Sequence, residues 1–252
     1  MSNLDSPLDD IRIGSLTAKW ARHRSYPVTY SSETKSTNGW AKENLENLFT
    51  NDLAFHLVVT DFQSKGRGRG QHSWTSPKLG SALLSSWCFS LPQAPQPFLT
   101  LRIGLALIRA SFCTWPFLEW SLKAPNDLFL DGDKIAGLLV ENISQGPETK
   151  CIVGLGMNIL NTPDSVDKAV DLQSVLPEGT PFLAEDWVSF LDRFFVELTD
   201  AVTKASEPLS TSDQASLLYF LNLNPNLEKT IKKIWPDGSI ETESGRISFH
   251  EL

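Results

Sequence analysis

The chain has 252 residues, with 22 Lys+Arg against 30 Asp+Glu and a formal net charge of -8. That balance argues against a protein that coats nucleic acid or anionic membrane non-specifically, because such surfaces need net positive charge. Hydrophobic residues make up 41%, with 8 Trp and 14 Phe, which argues against disorder. A chain this long buries roughly 70–75% of its unfolded surface, enough for a core without staples.

Residues 1–28 are polar and read as a loose arm. Met1 to Ile13 is acidic and lacks the basic-then-apolar order of a signal peptide. Trp40, Ala41, Leu45, Leu48 and Phe49 have helical spacing, and Ser36, Thr37 or Asn38 can cap that helix. Phe55 to Phe62, rich in β-branched residues, predicts a buried strand, and Leu83 to Phe89 a second. Phe98 to Phe112 predicts an apolar helix. Leu118 to Lys123 and Leu128 to Leu130 predict strands flanking the turn Ala124-Pro125-Asn126-Asp127. Asp131-Gly132-Asp133 is a hairpin turn into Lys134 to Asn142, and Cys151 to Leu160 is a further strand. Leu183 to Ala205 is a long amphipathic helix, with Trp187, Phe190, Leu191, Phe194, Phe195 and Leu198 on or near one face. Ala215 to Leu221 predicts a short helix. Pro208, Ser210, Ser212, Pro225 and several Asn place a linker near 206–228. Lys229 to Ser248 reads as short β-hairpins. The expectation is an α+β body over 29–206 and a linker with a small β tail over 207–252.

Cys88, Cys113 and Cys151 form no CxxC, and Cys88 and Cys113 lie in apolar runs where buried thiols are common. His23, His56, His72 and His250 show no HxxxH or HxH, which disfavours a zinc site. The longest apolar run, Ile103 to Leu118, holds Arg109 and Pro116 and is too short to span a bilayer. A soluble cytoplasmic protein is expected.

Five segments could carry chemistry. Gln63 to Trp74 follows a strand and contains Gly66-Arg67-Gly68-Arg69-Gly70, with Lys65 and no acidic residue. Glycines permit close backbone approach, and Arg forks suit a carboxylate or phosphate. The stretch is not a P-loop, since no Gly-Lys-Ser/Thr follows, and it lacks the last Gly of G-x-G-x-x-G. A solvated loop or an RGG-type RNA contact would read the same way. Lys123-Ala124-Pro125-Asn126-Asp127 is either a plain turn or an Asn–Asp pair able to hold Mg²⁺ or a phosphate-linked group. In Lys134-Ile135-Ala136-Gly137, strand alternation puts Lys134 on one face with Ala136, Leu138 and Val140. Lys134 then either snorkels or points at an anionic reaction centre. Gly154-Leu155-Gly156-Met157-Asn158 weakens a strand interior, which fits tight packing or a close ligand. Ser36-Thr37-Asn38 caps a helix and can also contact a ligand.

Taken in order, these segments resemble biotin protein ligases (biotin–acetyl-CoA-carboxylase ligases). The match runs through Ser36-Thr37-Asn38, Gln63, Gly66 to Gly70 with Trp74, Lys123-x-Pro125-Asn126-Asp127, Lys134-x-Ala136-Gly137 and Gly154-x-Gly156-x-Asn158. It covers roughly residues 29–160. The resemblance implies a mixed central sheet flanked by helices, the class II aminoacyl-tRNA synthetase-like biotin/lipoate ligase fold, with an abbreviated SH3-like tail. It implies two steps: biotin's carboxylate attacks the α-phosphate of ATP, then a lysine of a biotin carboxyl-carrier domain attacks the activated carbonyl. By the same likeness Lys134 and Arg69 are catalytic. Ser36, Thr37, Gln63, Gly66, Arg67 and Gly137 bind biotin. Arg67, Arg69, Trp74, Lys123, Asn126, Asp127, Lys134, Gly154, Gly156 and Asn158 bind ATP or the adenylate, and Asp127 holds Mg²⁺. No DNA or membrane partner is implied, and a homodimer is left open. Ala124 stands where an aromatic is usual, which would loosen packing beneath the turn. Gln71-His72 stand where many members have Gly-Arg. The 28 polar residues at the start are expected not to supply a helix-turn-helix. A lipoate or octanoate ligase shares the fold and is the nearest rival; an RNA-binding module is the rival of another class.

Overall fold

The computed structural model describes residues 11–49, 55–145 and 148–252. In chain order the elements are α1 (Ile13–His23), β1 (Val28–Ser31), α2 (Thr37–Glu43), α3 (Leu45–Leu48), β2 (Phe55–Thr60), β3 (Gly66–Arg67), β4 (Ser73–Trp74) and β5 (Ala82–Leu91). They continue with α4 (Leu99–Thr114), β6 (Trp120–Lys123), β7 (Asp127–Leu130), β8 (Asp133–Gln145), β9 (Glu148–Asn158), α5 (Leu172–Val175) and α6 (Ala184–Thr203). The chain closes with α7 (Thr211–Asn222), β10 (Ile231–Ile234), β11 (Ile240–Thr242), β12 (Gly245–Ile247) and a 3-10 turn at Phe249–Glu251.

Among the described residues, seven strands form the main sheet in the order β1-β2-β5-β9-β8-β7-β6. β1 and β2 are parallel, and every other neighbouring pair is antiparallel. The expected mixed sheet flanked by helices is therefore present, with a small three-stranded sheet, β10-β11-β12, at the C-terminal end.

Each face of the main sheet carries its own core. On one, α1, α4 and α6 pack over Leu57, Val59, Trp87, Phe89, Cys151 and Val153. On the other, Ala41, Leu45 and Leu48 of α2 and α3 cover Val58, Cys88 and Ile152. Neighbours in sequence fall on opposite faces, as the two-residue strand period requires. Cys88 and Cys151 are both buried, and burial raises both thiol pKa values, that of Cys151 to about 12. Cys113, expected to be buried, is exposed.

Two expectations fail here. Residues 13–23 are not a loose arm but the helix α1, with Ile13, Thr17, Ala18, Trp20 and Ala21 buried. Residues 1–10 of that arm lie outside the described residues. The buried face of α1 uses small and hydroxyl-bearing residues, which lower its hydropathy while letting it approach closely. Thr17 Oγ1 donates to Ile13 O and accepts from Trp187 Nε1 at 3.1 Å, and Trp20 Nε1 donates to Asp192. The 206–228 stretch is not a simple linker either. Ser210 caps α7 by accepting from Asp213 N at 3.1 Å, and α7 buries Leu217, Phe220 and Leu221. Arg102 of α4 donates to the carbonyls of Lys204, Glu207 and Pro208, tying this segment to the body. No helix among the described residues is long and apolar enough to cross a membrane.

Candidate active site

The register of β5, β9, β8 and β7 builds a floor on the face covered by α2. One cross-strand row reads Asp127, Gly137, Gly156, Leu84; the next reads Leu139, Gly154, Ser86; the next Glu141, Ile152, Cys88. Three glycines therefore meet at one spot and remove the side chains that would fill it.

Lys134 reaches this face through a bulge. Phe129 pairs with Lys134 and Leu128 with Ala136, so Ile135 is an extra residue on β8. Such an insertion breaks strand alternation. The expected grouping of Lys134 with Ala136, Leu138 and Val140 is thereby reversed. Ala136 and Leu138 join the opposite core, and Lys134 Nζ lies 3.3 Å from where a Cβ on Gly137 would stand. Its partner is Asp127 Oδ2 at 2.9 Å. Asp127 Oδ1 is buried and accepts no hydrogen bond among the described residues.

The other end of the floor is walled by the start of α2 and the strand end at Gln63. Ser36 is the N-cap, accepting from Gly39 N at 3.3 Å. Gln63 Oε1 accepts from Thr37 N at 2.7 Å and from Thr37 Oγ1 at 3.2 Å. Its carbonyl oxygen is thus committed internally, and its Nε2 donor remains for a ligand. Ser86 Oγ lies within hydrogen-bond distance of Thr37 Oγ1 and Asn38 Oδ1. Asn38 Nδ2 donates to Leu139 O at 3.1 Å and Glu141 Oε2 at 3.0 Å.

The Gly-Arg-Gly-Arg-Gly segment folds as a hairpin. Gly66 pairs with Trp74 and Arg67 with Ser73, while Gly68 N donates to His72 O. A Cβ on Gly66 would stand 2.3 Å from Trp74 O, so this glycine serves the hairpin itself. A Cβ on Gly154 would meet Asn38 Oδ1 at 2.5 Å, and one on Gly156 would meet the Trp74 ring at 2.6 Å. The space these glycines leave is taken by protein side chains, which form the cleft's walls. Trp74 Nε1 is buried without a partner among the described residues.

The resulting open cleft is lined by Ser36, Thr37, Asn38, Gln63, Arg67, Trp74, Ser85, Gly137, Leu139, Gly154, Leu155 and Gly156. Most residues singled out from sequence meet here, with Lys134 and Asp127 at its Gly137 edge. Five others do not line it: Gly66, which is taken up by the hairpin, and four more. Asn126 Nδ2 donates to Leu138 O and holds its own turn. Lys123 Nζ lies 5.8 Å from the centre of the Phe129 ring. Asn158 Nδ2 donates to Val170 O, with its Oδ1 buried and unpartnered among the described residues. Arg69 Nη2 lies 3.2 Å from His250 Nδ1 in the C-terminal turn. Burial and the Arg69 charge hold the His250 pKa below its usual value, which favours the neutral ring that accepts from Arg69. Beneath the Ala124-Pro125 turn lies a small hollow bounded by Gly104, Leu122, Ala124 and Leu138, as expected where an aromatic is missing.

Sequence reading missed Ser85, Ser86, Leu139 and Glu141. Alternation from Gly137 would have put Leu139 and Glu141 on the glycine face; the serines carried no signal in an apolar strand.

A mixed sheet with a glycine floor, a capped helix at one end and a Lys–Asp pair at the other defines a small-ligand ligase fold of known type. The chain belongs to the biotin/lipoate A/B protein ligase family, whose model matches residues 30–158. It is 26% identical over 192 residues to biotin--protein ligase 1, chloroplastic, of Arabidopsis thaliana, covering 72% of this chain and 51% of that protein. It is 28% identical over 180 residues to a biotin--[acetyl-CoA-carboxylase] ligase of Mycobacterium tuberculosis, covering 70% and 59%. The chain spans about half the length of the curated relatives it matches. Among solved structures, the biotin protein ligase from Aquifex aeolicus in complex with biotin and ATP superposes with a TM-score of 0.64 at 25% identity, over 88% of this chain and 94% of that one.

Proposed function

We propose that the chain is an ATP-dependent biotin ligase that forms biotinyl-5′-AMP and transfers biotin to a lysine of a biotin carboxyl-carrier domain. The observation that carries this reading is the two-ended cleft. One end presents uncharged amide and hydroxyl groups from Ser36, Thr37, Asn38 and Gln63, and the other presents Lys134 and Asp127. A ligand with a polar neutral ring and a carboxylate tail suits that division. Residues 29–206 would carry both substrates, and the 207–252 segment would close the nucleotide side through His250 and Arg69.

In the first step a biotin carboxylate oxygen bonds to the α-phosphorus of ATP, and the bond to the β-phosphate oxygen breaks to release pyrophosphate. Both reactants are anions, so fixed cations must offset their repulsion. Lys134 is the cation at the edge where the tail would arrive, and Arg69 adds a guanidinium from the hairpin. In the second step the carrier amine bonds to the biotin carbonyl carbon, gives up a proton and expels AMP. Lys134 then faces the charge growing on the leaving phosphate.

Asp127 fits a magnesium ion carried by the nucleotide. Its Oδ1 is buried and lacks a donor among the described residues, and Mg²⁺ is commonly held by one or two carboxylates plus phosphates. No group of three or more His, Cys, Asp and Glu side chains that could hold a metal occurs among the described residues. When bound, the ion would neutralise phosphoryl oxygens.

The test is incubation with biotin, ATP, Mg²⁺ and a biotin carrier domain, read by mass spectrometry of the carrier lysine. Addition of one biotin per carrier is the expected result. Labelling by lipoate instead would favour the rival of the same fold, and no labelling with either would overturn the reading. Gly154→Ala is expected to displace Asn38 and weaken biotin binding about tenfold, the scale of one lost hydrogen bond. Calorimetry checks this, and an unchanged affinity would remove Gly154 from the argument.

A further inference from the structure

One carboxylate is shared by both walls of the cleft, and no step above uses it. Glu141 lies on β8, on the face of Gly137 and Leu139, with its side chain only 16% exposed. Its Oε1 accepts from Lys42 Nζ at 2.6 Å and from Arg67 Nη2 at 3.1 Å. Its Oε2 accepts from Asn38 Nδ2 at 3.0 Å. Three donors from two separate segments therefore converge on it: two from α2 and one from the hairpin. Burial alone would raise its pKa, but hydrogen bonds from Lys42 and Asn38 and the charges of Lys42 and Arg67 more than offset this, so it is held ionised.

Two of those donors, Asn38 and Arg67, line the cleft, whereas Lys42 does not. Arg67 is anchored through Nη2 alone, and its Nε and Nη1 have no partner among the described residues. A guanidinium has five N–H donors in a fixed plane. Holding one corner of that plane fixes the direction of the others without consuming them. Asn38 is fixed likewise, by Glu141, Leu139 O and the Ser86 hydroxyl.

We infer that Glu141 is a positioning residue: it sets the spacing and direction of the Arg67 donors from the hairpin and the Asn38 donor from α2, and so docks the hairpin on the sheet. This deepens the biotin-ligase reading and rests on it for the substrate, but the docking itself does not depend on which ligand binds. The role is binding rather than chemistry, because Glu141 lies at the end of the floor away from Lys134.

The experiment compares Glu141→Gln, which keeps the shape and removes the charge, with Lys42→Met, which removes the donor that does not reach the cleft. Trypsin cuts after Lys65, Arg67 and Arg69, so cleavage within the hairpin reads its docking without any ligand. Glu141→Gln is expected to raise that cleavage rate about tenfold and the KM for biotin about tenfold, on the scale of a lost charge-assisted hydrogen bond, with kcat at saturating biotin within about twofold. Lys42→Met is expected to leave hairpin cleavage and the KM within about twofold of the parent protein. Parent-like cleavage and KM in Glu141→Gln would overturn the inference, as would a fall in kcat with KM unchanged, or equal effects of both variants. If Glu141→Gln does not fold, Arg67→Met serves in its place: faster cleavage at Lys65 and Arg69 supports the docking, and parent-like cleavage overturns it. Should the parent protein fail to turn over biotin, the functional reading falls while the protease arm still decides the role of Glu141.

Discussion

Lys134→Ala is expected to slow formation of the acyl-adenylate by about 10²–10³-fold, the loss seen when one preorganised group is removed from developing charge. The side chain is 38% exposed and its only ion-pair partner among the described residues is Asp127, itself at the surface of the cleft. A half-exposed pair of this kind contributes little to folding, so the melting temperature should move by no more than a degree or two. Measured together, pyrophosphate release and thermal melting separate chemistry from stability. Near-parent pyrophosphate release would take Lys134 out of the reaction. A collapse in melting temperature would instead make it a structural residue. The bulge at Ile135 matters to this result, since without it the ammonium would be aimed into the apolar core on the other face.

Trp187→Ala is expected to destabilise the fold by about 3–5 kcal/mol, the usual range for deleting a buried Trp. Trp187 is fully buried, lies at 5.0 Å from the Phe190 ring in a stacked arrangement, and donates its Nε1 to Thr17. Its removal would leave both a cavity under α6 and an α1 that has lost a tie to the body. For a chain of this size that corresponds to a fall of roughly 6–20 °C in melting temperature. Urea unfolding followed by fluorescence would check it. A loss below about 1 kcal/mol would mean that α1 and α6 are not a cooperative part of the core.

The comparison of these two residues shows what sequence conveys and what it hides. Trp187 was legible because its neighbours Phe190, Leu191, Phe194 and Leu198 repeat with helical period, and that period alone locates α6. Lys134 was legible as a residue type beside Gly137 but not as a direction, because a single inserted residue in β8 inverts the alternation and leaves no compositional trace. The helix α1 was hidden for a different reason. Its buried face is made of Gly14, Thr17, Ala18 and Ala21 with only two large apolar residues, Ile13 and Trp20, so close approach substitutes for bulk. The helix α7 was foreseen as a short piece, but its first turn is Thr211-Ser212-Asp213, residues that also mark loops. Within the cleft, the hydroxyl and amide partners of α2 were visible as a capping motif. Ser86 and Glu141 were not, since their importance comes from strand register, which only the assembled sheet determines.

The floor at Gly137, Gly154 and Gly156 has a consequence for redesign of the protein. Enlarging a pocket toward a bulkier ligand analogue normally means trimming the residues beneath it, but glycine has nothing left to trim. Room can be gained only from the walls, and of those Leu139 and Trp74 are large apolar side chains outside the hydrogen-bonded cap of α2, whereas Leu155 belongs to the main core and Arg67 is tied to Glu141. Trp74 also covers Gly156, so shortening it would open the cleft from the side and at the same time loosen the hairpin that closes over it. A library aimed at new ligands would therefore begin at Leu139, where volume can be exchanged without unseating the loop.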